Sequence, residues 1–249
     1  MGTRSFGRYK NAIHFSDGLF SDLYKAPVPE DSPFRFDLPP GSLVALKVTY
    51  LLAMNPPHDS EREVRVLKRA ESDHVIPLLE TFREAGGHLV LVFPYMPLVL
   101  DQTLRRKILT RAQERACLRD LFAALAHVHK LGMIHRDVKP SNILLKGPSG
   151  PAFLTDFGIA WDPKDRASEP ADQKITDIGT TSYRPPEVLF GCTSYTSAVD
   201  LWAAGCVVAE VVSRDKVPLF HSGEMGSDLA LIHSIFKSLG TPNEAVWPV

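Results

Sequence analysis

The polar residues of segment 135–142 have types and spacing that suit chemistry at a single point. Asp137 is followed two residues later by Lys139 and five residues later by Asn142. The segment comes after a run without Gly or Pro that predicts a helix, so we expect it to be a loop. Such a loop can present a carboxylate, an ammonium group and an amide to one point.

A second carboxylate is expected to return to this loop. Asp156 lies nineteen residues after Asp137 and begins the run Asp-Phe-Gly. Two short apolar runs, 143–145 and 152–155, predict a hairpin that brings Asp156 beside Asn142. Asp and Asn oxygens, with water and phosphate oxygens, form a hard-oxygen set that suits Mg²⁺.

The elements that would position these residues differ between the two halves of the chain. The first half is mostly strand-like, with one short helix over 60–69. A connection rich in Pro and Gly, 27–41, interrupts it. The strand-like runs are 19–24, 43–49, 75–82 and 88–93.

The second half is mostly helical. Apolar residues that repeat every three or four positions predict helices over 113–131, 201–213 and 229–239. Between the first two, the polar segment 163–181 is expected to be a long exposed loop. Loops of that length are usually functional or disordered.

Composition restricts the class of protein. The 249 residues include 28 Lys and Arg against 29 Asp and Glu, for a net charge of -1. This balance argues against a dedicated nucleic-acid binder. No apolar run is long enough for a membrane span, and residues 1–10 lack a signal-peptide pattern. The cysteines, which suggest a reducing compartment and give no metal spacing, are Cys117, Cys192 and Cys206.

The motifs together resemble the signature set of the eukaryotic protein kinases, and they occur in the same order. Segment 44–47, Val-Ala-Leu-Lys, resembles the strand whose Lys holds the α- and β-phosphates. Glu63 resembles its ion-pair partner. Segment 179–187 resembles the end of the activation segment, and segment 200–206 resembles the helix that braces the catalytic loop. The resemblance runs from about Tyr9 to the last residue.

Within that family, the sequence resembles the cyclin-dependent kinase branch of the CMGC group, including its monomeric activating type. Segments 57–63 and 239–248 carry this likeness. The implied fold is α+β and two-lobed, with 1–249 as one kinase domain. A small β-rich N-lobe with one helix, plus the hinge, would cover 9–96. A mainly helical C-lobe without its last helices would cover 97–249.

The resemblance implies transfer of the γ-phosphoryl of ATP to Ser or Thr hydroxyls of proteins, with Mg²⁺. Asp137 would accept or orient the hydroxyl proton, and Lys139 would neutralise the γ-phosphate. Asn142 and Asp156 would hold the metal. The implied nucleotide-binding residues are Gly18, Ala45, Lys47, Glu63, Phe93 as gatekeeper, Met96 in the hinge, and Leu144.

The glycine-rich loop departs from the family pattern. Its three glycines would fall on Ser16, Gly18 and Ser21, so only Gly18 remains. Glycines there let backbone N–H groups approach phosphates. A pseudokinase or scaffold that keeps the fold without turnover therefore stays open beside the enzyme.

The activation segment also departs from the pattern. Arg62 and Arg136 match two of three arginines that clamp a phosphorylated segment, and Trp161 stands at the third position. Thr176 is a candidate phosphorylation site, and Thr180 would bond within the catalytic loop.

The expected partners are protein substrates, other kinases among them. Glu61 replaces an apolar residue of the cyclin-facing motif, and an unpaired buried carboxylate is costly, so a cyclin partner is not favoured. We expect a monomer that binds neither nucleic acid nor membrane. It would be intracellular, in the nucleus or the cytoplasm, with a cell-cycle role.

Overall fold

A computed structural model describes residues 2–29, 38, 41–84, 86–224 and 226–244. These residues form nine strands and six α-helices, an α+β arrangement. The strands are β1 (Arg4–Phe6), β2 (Tyr9–Asp17), β3 (Ser21–Pro27), β4 (Leu43–Thr49), β5 (Glu80–Arg83), β6 (Leu89–Pro94), β7 (Leu98–Val99), β8 (Ile143–Leu145) and β9 (Ala152–Leu154). The helices are α1 (Ser60–Arg69), α2 (Leu100–Arg105), α3 (Arg111–Lys130), α4 (Pro186–Leu189), α5 (Ala198–Val212) and α6 (Asp228–Leu239).

Six strands form one antiparallel sheet in the order β1-β2-β3-β4-β6-β5. In β4, the side chains alternate between the two faces of the sheet. Val44, Leu46 and Val48 are buried in the cluster on one face. Ala45 and Lys47 therefore point to the other face, toward α1 and the helical half.

One apolar cluster joins the sheet to the helices. It includes Leu91 of β6, Val66 of α1, Leu125 of α3, Val207 of α5 and Leu231 of α6, all buried. The α3 helix begins with a capping box, in which Thr110 and Gln113 satisfy each other's backbone N–H groups. The helical layer thus packs directly against the sheet and supports the loops between them.

A buried hydrogen bond links α5 to the segment before α4. The Tyr183 hydroxyl donates to Glu210 Oε2 at 2.6 Å, and both side chains are buried. Burial, partly offset by this hydrogen bond, raises the pKa of Glu210 above its usual value. The contact fixes the end of the long irregular segment against the helical core.

A second, three-stranded sheet has the order β7-β8-β9. The β8–β9 hairpin begins directly after Asn142 and ends two residues before Asp156. Thr155 donates its backbone N–H to the Asn142 carbonyl at 3.0 Å. This bond confirms the hairpin predicted from sequence and brings Asn142 close to Asp156.

Several sequence predictions agree with these bounds, and others need correction. The helix over 60–69 is confirmed, and so is the strand over 43–49. The strand predicted over 75–82 is only Glu80–Arg83, because Val75 instead forms a parallel bridge to Leu154 of the other sheet.

The segment 163–181 is irregular as predicted, but it is only partly exposed. It packs on a third apolar cluster, in which Trp161, Ile178 and Tyr195 are buried. Most of the connection 27–41, together with residues 245–248 of the motif 239–248, lies outside the described residues. None of the helices in the described ranges has the length and apolarity that a membrane span requires.

Candidate active site

Lys47 joins the sheet to α1 and to Asp156, which lies two residues after the β8–β9 hairpin. Its Nζ lies 2.7 Å and 2.9 Å from the two carboxylate oxygens of Glu63, and 2.9 Å from Asp156 Oδ1. Burial would lower the pKa of Lys47, but the two carboxylates outweigh it and raise the pKa. The ammonium of Lys47 in turn holds the pKa of Asp156 well below its usual range. Asp156 is therefore an ionised carboxylate at neutral pH.

The start of α1 explains why Glu63 is held in place. Asp59 caps the helix by accepting a hydrogen bond from the backbone N–H of Arg62 at 2.8 Å. The backbone N–H of Asp59 donates at 3.0 Å to the carbonyl of Gly158, the last residue of the Asp-Phe-Gly run. The cap thus ties the first turn of α1, which carries Glu63, to Asp156.

Asp137, Lys139 and Thr180 form a hydrogen-bonded group. The Thr180 hydroxyl donates to Asp137 Oδ1 at 2.9 Å, and Lys139 Nζ lies 2.6 Å from that hydroxyl. Lys139 Nζ also lies 2.8 Å from Asp137 Oδ2. The carboxylate and the ammonium group are thus fixed side by side.

Asn142 turns toward the same carboxylate. Its Nδ2 donates to the Asp137 carbonyl at 2.8 Å and to Asp137 Oδ2 at 3.0 Å. Both bonds use the amide nitrogen, so the amide oxygen remains a potential ligand. Together with the ionised Asp156, it offers the oxygen donors that a hard cation prefers.

A buried carboxylate of α5 holds the loop that contains Asp137. Asp200 is 1% exposed and accepts the backbone N–H groups of His135 and Arg136, each at 2.8 Å. Its Oδ2 also lies 2.8 Å from Nε2 of His129. Asp200 thus accounts for the bracing role expected of segment 200–206, because its carboxylate fixes two consecutive peptide groups.

The turn between β2 and β3 lines one cavity together with Lys47, Glu63 and Asp156, here called the cleft. The Gly18 N–H donates to the Ser21 carbonyl at 2.6 Å, so it is used within the turn. A Cβ at Gly18 would lie 2.8 Å from the Ser21 hydroxyl and 3.2 Å from the Ser21 carbonyl oxygen, so a larger residue would require this turn to shift.

The apolar residues predicted to contact a base share one apolar cluster. Ala45 of β4 is paired with Phe93 of β6. Phe93 is buried in the main cluster, and Ala45, Met96 and Leu144 are partly buried against it. Tyr95 uses its backbone N–H to bond Leu43, whereas Pro94 has none to offer.

Arg62 and Arg136 meet at a carboxylate that the sequence did not single out. The Arg136 guanidinium donates to both carboxylate oxygens of Glu169, each at 3.1 Å. Arg62 lies 3.9 Å from Glu169 Oε2. Arg136 also donates to the Tyr195 hydroxyl at 2.9 Å.

Comparison with known proteins decides the family. A protein kinase domain model matches residues 38–248. The chain belongs to the protein kinase family. Its resemblance to the cyclin-dependent branch is confirmed by its relatives.

Three relatives illustrate this likeness. The chain is 34% identical to serine/threonine-protein kinase csk1 of Schizosaccharomyces pombe over 240 residues, which cover 94% of this chain and 74% of that protein. It is 36% identical to cyclin-dependent kinase D-1 of Oryza sativa over 97% of this chain and 53% of that protein. It is 32% identical to human cyclin-dependent kinase 20 over 84% of this chain and 59% of that protein. The chain thus spans little more than half the length of the last two relatives.

The structure brings most of the predicted kinase residues together. Lys47, Glu63 and Asp156 form one group, and Asp137, Lys139, Asn142 and Thr180 form the other. Thr176 is only partly exposed, and its carbonyl accepts the Ile178 N–H at 2.9 Å. Sequence reasoning missed Glu169, because one more carboxylate in a polar loop gives no distinguishing signal.

Proposed function

We propose that the chain is an ATP-dependent serine/threonine protein kinase of the cyclin-dependent type. One observation carries the proposal: Lys47 contacts Glu63 and Asp156 at the same time, within 2.9 Å. Side chains from three elements converge there on one point. Their mixture of charges suits a triphosphate and a hard cation better than any apolar ligand.

The proposed catalytic groups act on the substrate hydroxyl. Asp137 would accept or orient its proton, and Thr180 and Lys139 hold that carboxylate in a defined orientation. Lys139 would also neutralise charge on the transferred phosphoryl group. Transfer of this kind depends mainly on positioning and charge stabilisation, so side chains fixed in advance lower the barrier.

The residues proposed for Mg²⁺ fit that cation. Asn142 offers an amide oxygen, and Asp156 offers a carboxylate oxygen that Lys47 does not occupy. When bound, Mg²⁺ would neutralise charge on the phosphate oxygens.

The proposed nucleotide site combines Lys47 and the Gly18 turn with an apolar slot. Ala45 and Leu144 would enclose the adenine, Phe93 would close the back of the slot, and Met96 would donate its backbone N–H to the base. Residues 9–96 would then form the N-lobe with the hinge, and residues 97–249 the C-lobe.

The proposed partners are protein substrates, other kinases among them, and the proposed state is a monomer without a cyclin. Glu61 supports the proposed absence of a cyclin partner. It pairs with Arg83 on the surface, and its side chain is 51% exposed. An apolar partner surface would have to bury this ion pair, which is unfavourable.

A pseudokinase is the second candidate function. The observation that favours it is the Gly18 N–H, which bonds Ser21 at 2.6 Å instead of pointing freely to the cleft. With Ser16 and Ser21 in place of glycines, the turn is less able to present N–H groups to phosphates.

Phosphotransfer from labelled ATP with Mg²⁺ to a Ser/Thr peptide library separates the two candidates. We expect turnover by the wild type and a loss of roughly a hundredfold or more in Asp137→Asn, which removes the proposed base. Stabilisation of the wild type by ATP and Mg²⁺ without any turnover would support the pseudokinase. Equal incorporation by wild type and Asp137→Asn would refute the enzyme.

A further inference from the structure

Glu169 lies between two arginines that come from different parts of the fold. Arg136 is held by both carboxylate oxygens at 3.1 Å, and Arg62 lies 3.9 Å away. Each arginine is 3% exposed. A bidentate contact to a buried guanidinium is among the strongest polar contacts in proteins.

The two guanidinium groups require an anion. Burial and the nearby charge of Arg136 lower the pKa of Arg62, which shows that the pair repel each other. Burial alone would raise the pKa of Glu169, but hydrogen bonds and charge from Arg136 reverse this and lower it. Glu169 is therefore ionised, and it offsets the repulsion.

The backbone around Glu169 is fixed as well. The Trp161 indole N–H donates to the Glu169 carbonyl at 2.9 Å. Lys174 lies over two aromatic rings, with its Nζ 4.8 Å from the Trp161 ring centroid and 5.1 Å from that of Tyr195. The carboxylate is thus presented from a tethered position, so little entropy is lost when it binds the arginines.

Each arginine is the sequence neighbour of a proposed active-site residue. Arg62 precedes Glu63, the partner of Lys47, and Arg136 precedes Asp137. The Arg136 Nε also donates to the Ile159 carbonyl at 2.7 Å, beside the Asp-Phe-Gly run. A single carboxylate therefore connects α1, the catalytic loop and the segment 160–184 that delivers Thr180.

We propose that Glu169 is a positioning residue whose fixed charge holds segment 160–184 in its working arrangement, so that turnover requires no phosphate on this segment. This rests on the proposed kinase activity. A phosphate carries about two negative charges and a carboxylate carries one. With Trp161 in place of a third arginine, this cluster has one positive charge fewer than the three-arginine pattern, so one negative charge fewer leaves the same balance.

The test compares phosphate-free proteins, prepared with a phosphatase and checked by intact mass. The variants are Glu169→Gln, Glu169→Asp and the control Asp172→Asn, which removes an exposed carboxylate from the same segment. Measurements are kcat, KM for ATP, and hydrogen exchange of amides in 160–184.

We expect phosphate removal to leave wild-type turnover unchanged. Glu169→Gln should lower kcat at least about tenfold, with KM for ATP within about threefold, because it loses a charge-assisted contact rather than a nucleotide ligand. Glu169→Asp should recover most of the rate, and Asp172→Asn should match the wild type. Exchange in 160–184 should rise only in Glu169→Gln.

Loss of wild-type turnover on phosphate removal would overturn the proposal, and so would unchanged kcat in Glu169→Gln. If Glu169→Gln fails to fold, the other two proteins still test the proposal. It is overturned if the phosphate-free wild type loses turnover, or if Glu169→Asp does not show most of the wild-type rate. If the wild type transfers no phosphate under any condition, the proposed function fails instead. Hydrogen exchange then tests the holding role alone, and unchanged exchange in Glu169→Gln would refute it.

Discussion

Replacing Asp200 by Asn tests whether one buried carboxylate positions the loop that contains Asp137. The wild-type side chain accepts two backbone N–H groups at 2.8 Å and faces His129 at 2.8 Å. An amide keeps one acceptor oxygen and replaces the other by a donor. In its better orientation, Asn still accepts from His135, but its NH₂ group then faces the N–H of Arg136.

The expected cost follows from that geometry. One hydrogen bond to a charged group is lost, and one buried N–H remains without an acceptor, which together cost about 2–3 kcal/mol. For a chain of this size, the melting temperature should fall by roughly 4–12 °C. Because Arg136 has a left-handed φ of 72° beside Asp137, the loop should relax when its N–H is released. Turnover should then fall at least about tenfold.

Urea unfolding and phosphotransfer measure the two effects on the same protein. The control is Asp172→Asn, which removes a carboxylate from an exposed position and should change neither quantity. The reasoning would be refuted by an Asp200→Asn variant whose free energy of unfolding lies within about 0.5 kcal/mol of the wild type. Normal turnover in a destabilised variant would instead refute the link to Asp137.

Three further predictions concern the neighbouring polar contacts. Thr180→Val removes the hydroxyl that lies between Asp137 and Lys139, so kcat should fall roughly tenfold in a phosphotransfer assay while the urea midpoint hardly changes. Tyr183→Phe leaves the buried Glu210 without its donor, and urea unfolding should show a loss of about 1–3 kcal/mol. Because burial raises the pKa of Glu210, the folded chain holds that proton more tightly than the unfolded chain, and stability is lost as pH rises from about 4.3 through the folded pKa. Unfolding curves should therefore show Glu210→Gln gaining stability relative to the wild type over that pH range, and a constant difference would contradict the assigned direction.

The sequence predicted well those elements whose pattern is local. The predicted bounds of α1 are confirmed, because its charged run contains neither Gly nor Pro, and α3 agrees within two residues at its start. The resemblance to the protein kinase motifs also named the residues that meet at Lys47 and Asp137.

Contacts between distant segments were not predictable in this way. Residue 75 has the apolar character of a strand, yet its bridge runs to Leu154 in the other sheet, and nothing local indicates that partner. Strand β1, Arg4–Phe6, is a short edge strand with too few residues to show alternation. Glu169 looks like any solvated carboxylate until the fold places two arginines beside it.

The apolar cluster that runs from β6 through α1 to α3, α5 and α6 is shared by the sheet and the helices. Although the sheet also has a second cluster on its other face, we expect heat to unfold the two halves together, because each loses part of its core when they separate. A cavity made at Leu231 should therefore also destabilise the region around the Lys47–Glu63 pair, because close-packed interiors transmit strain.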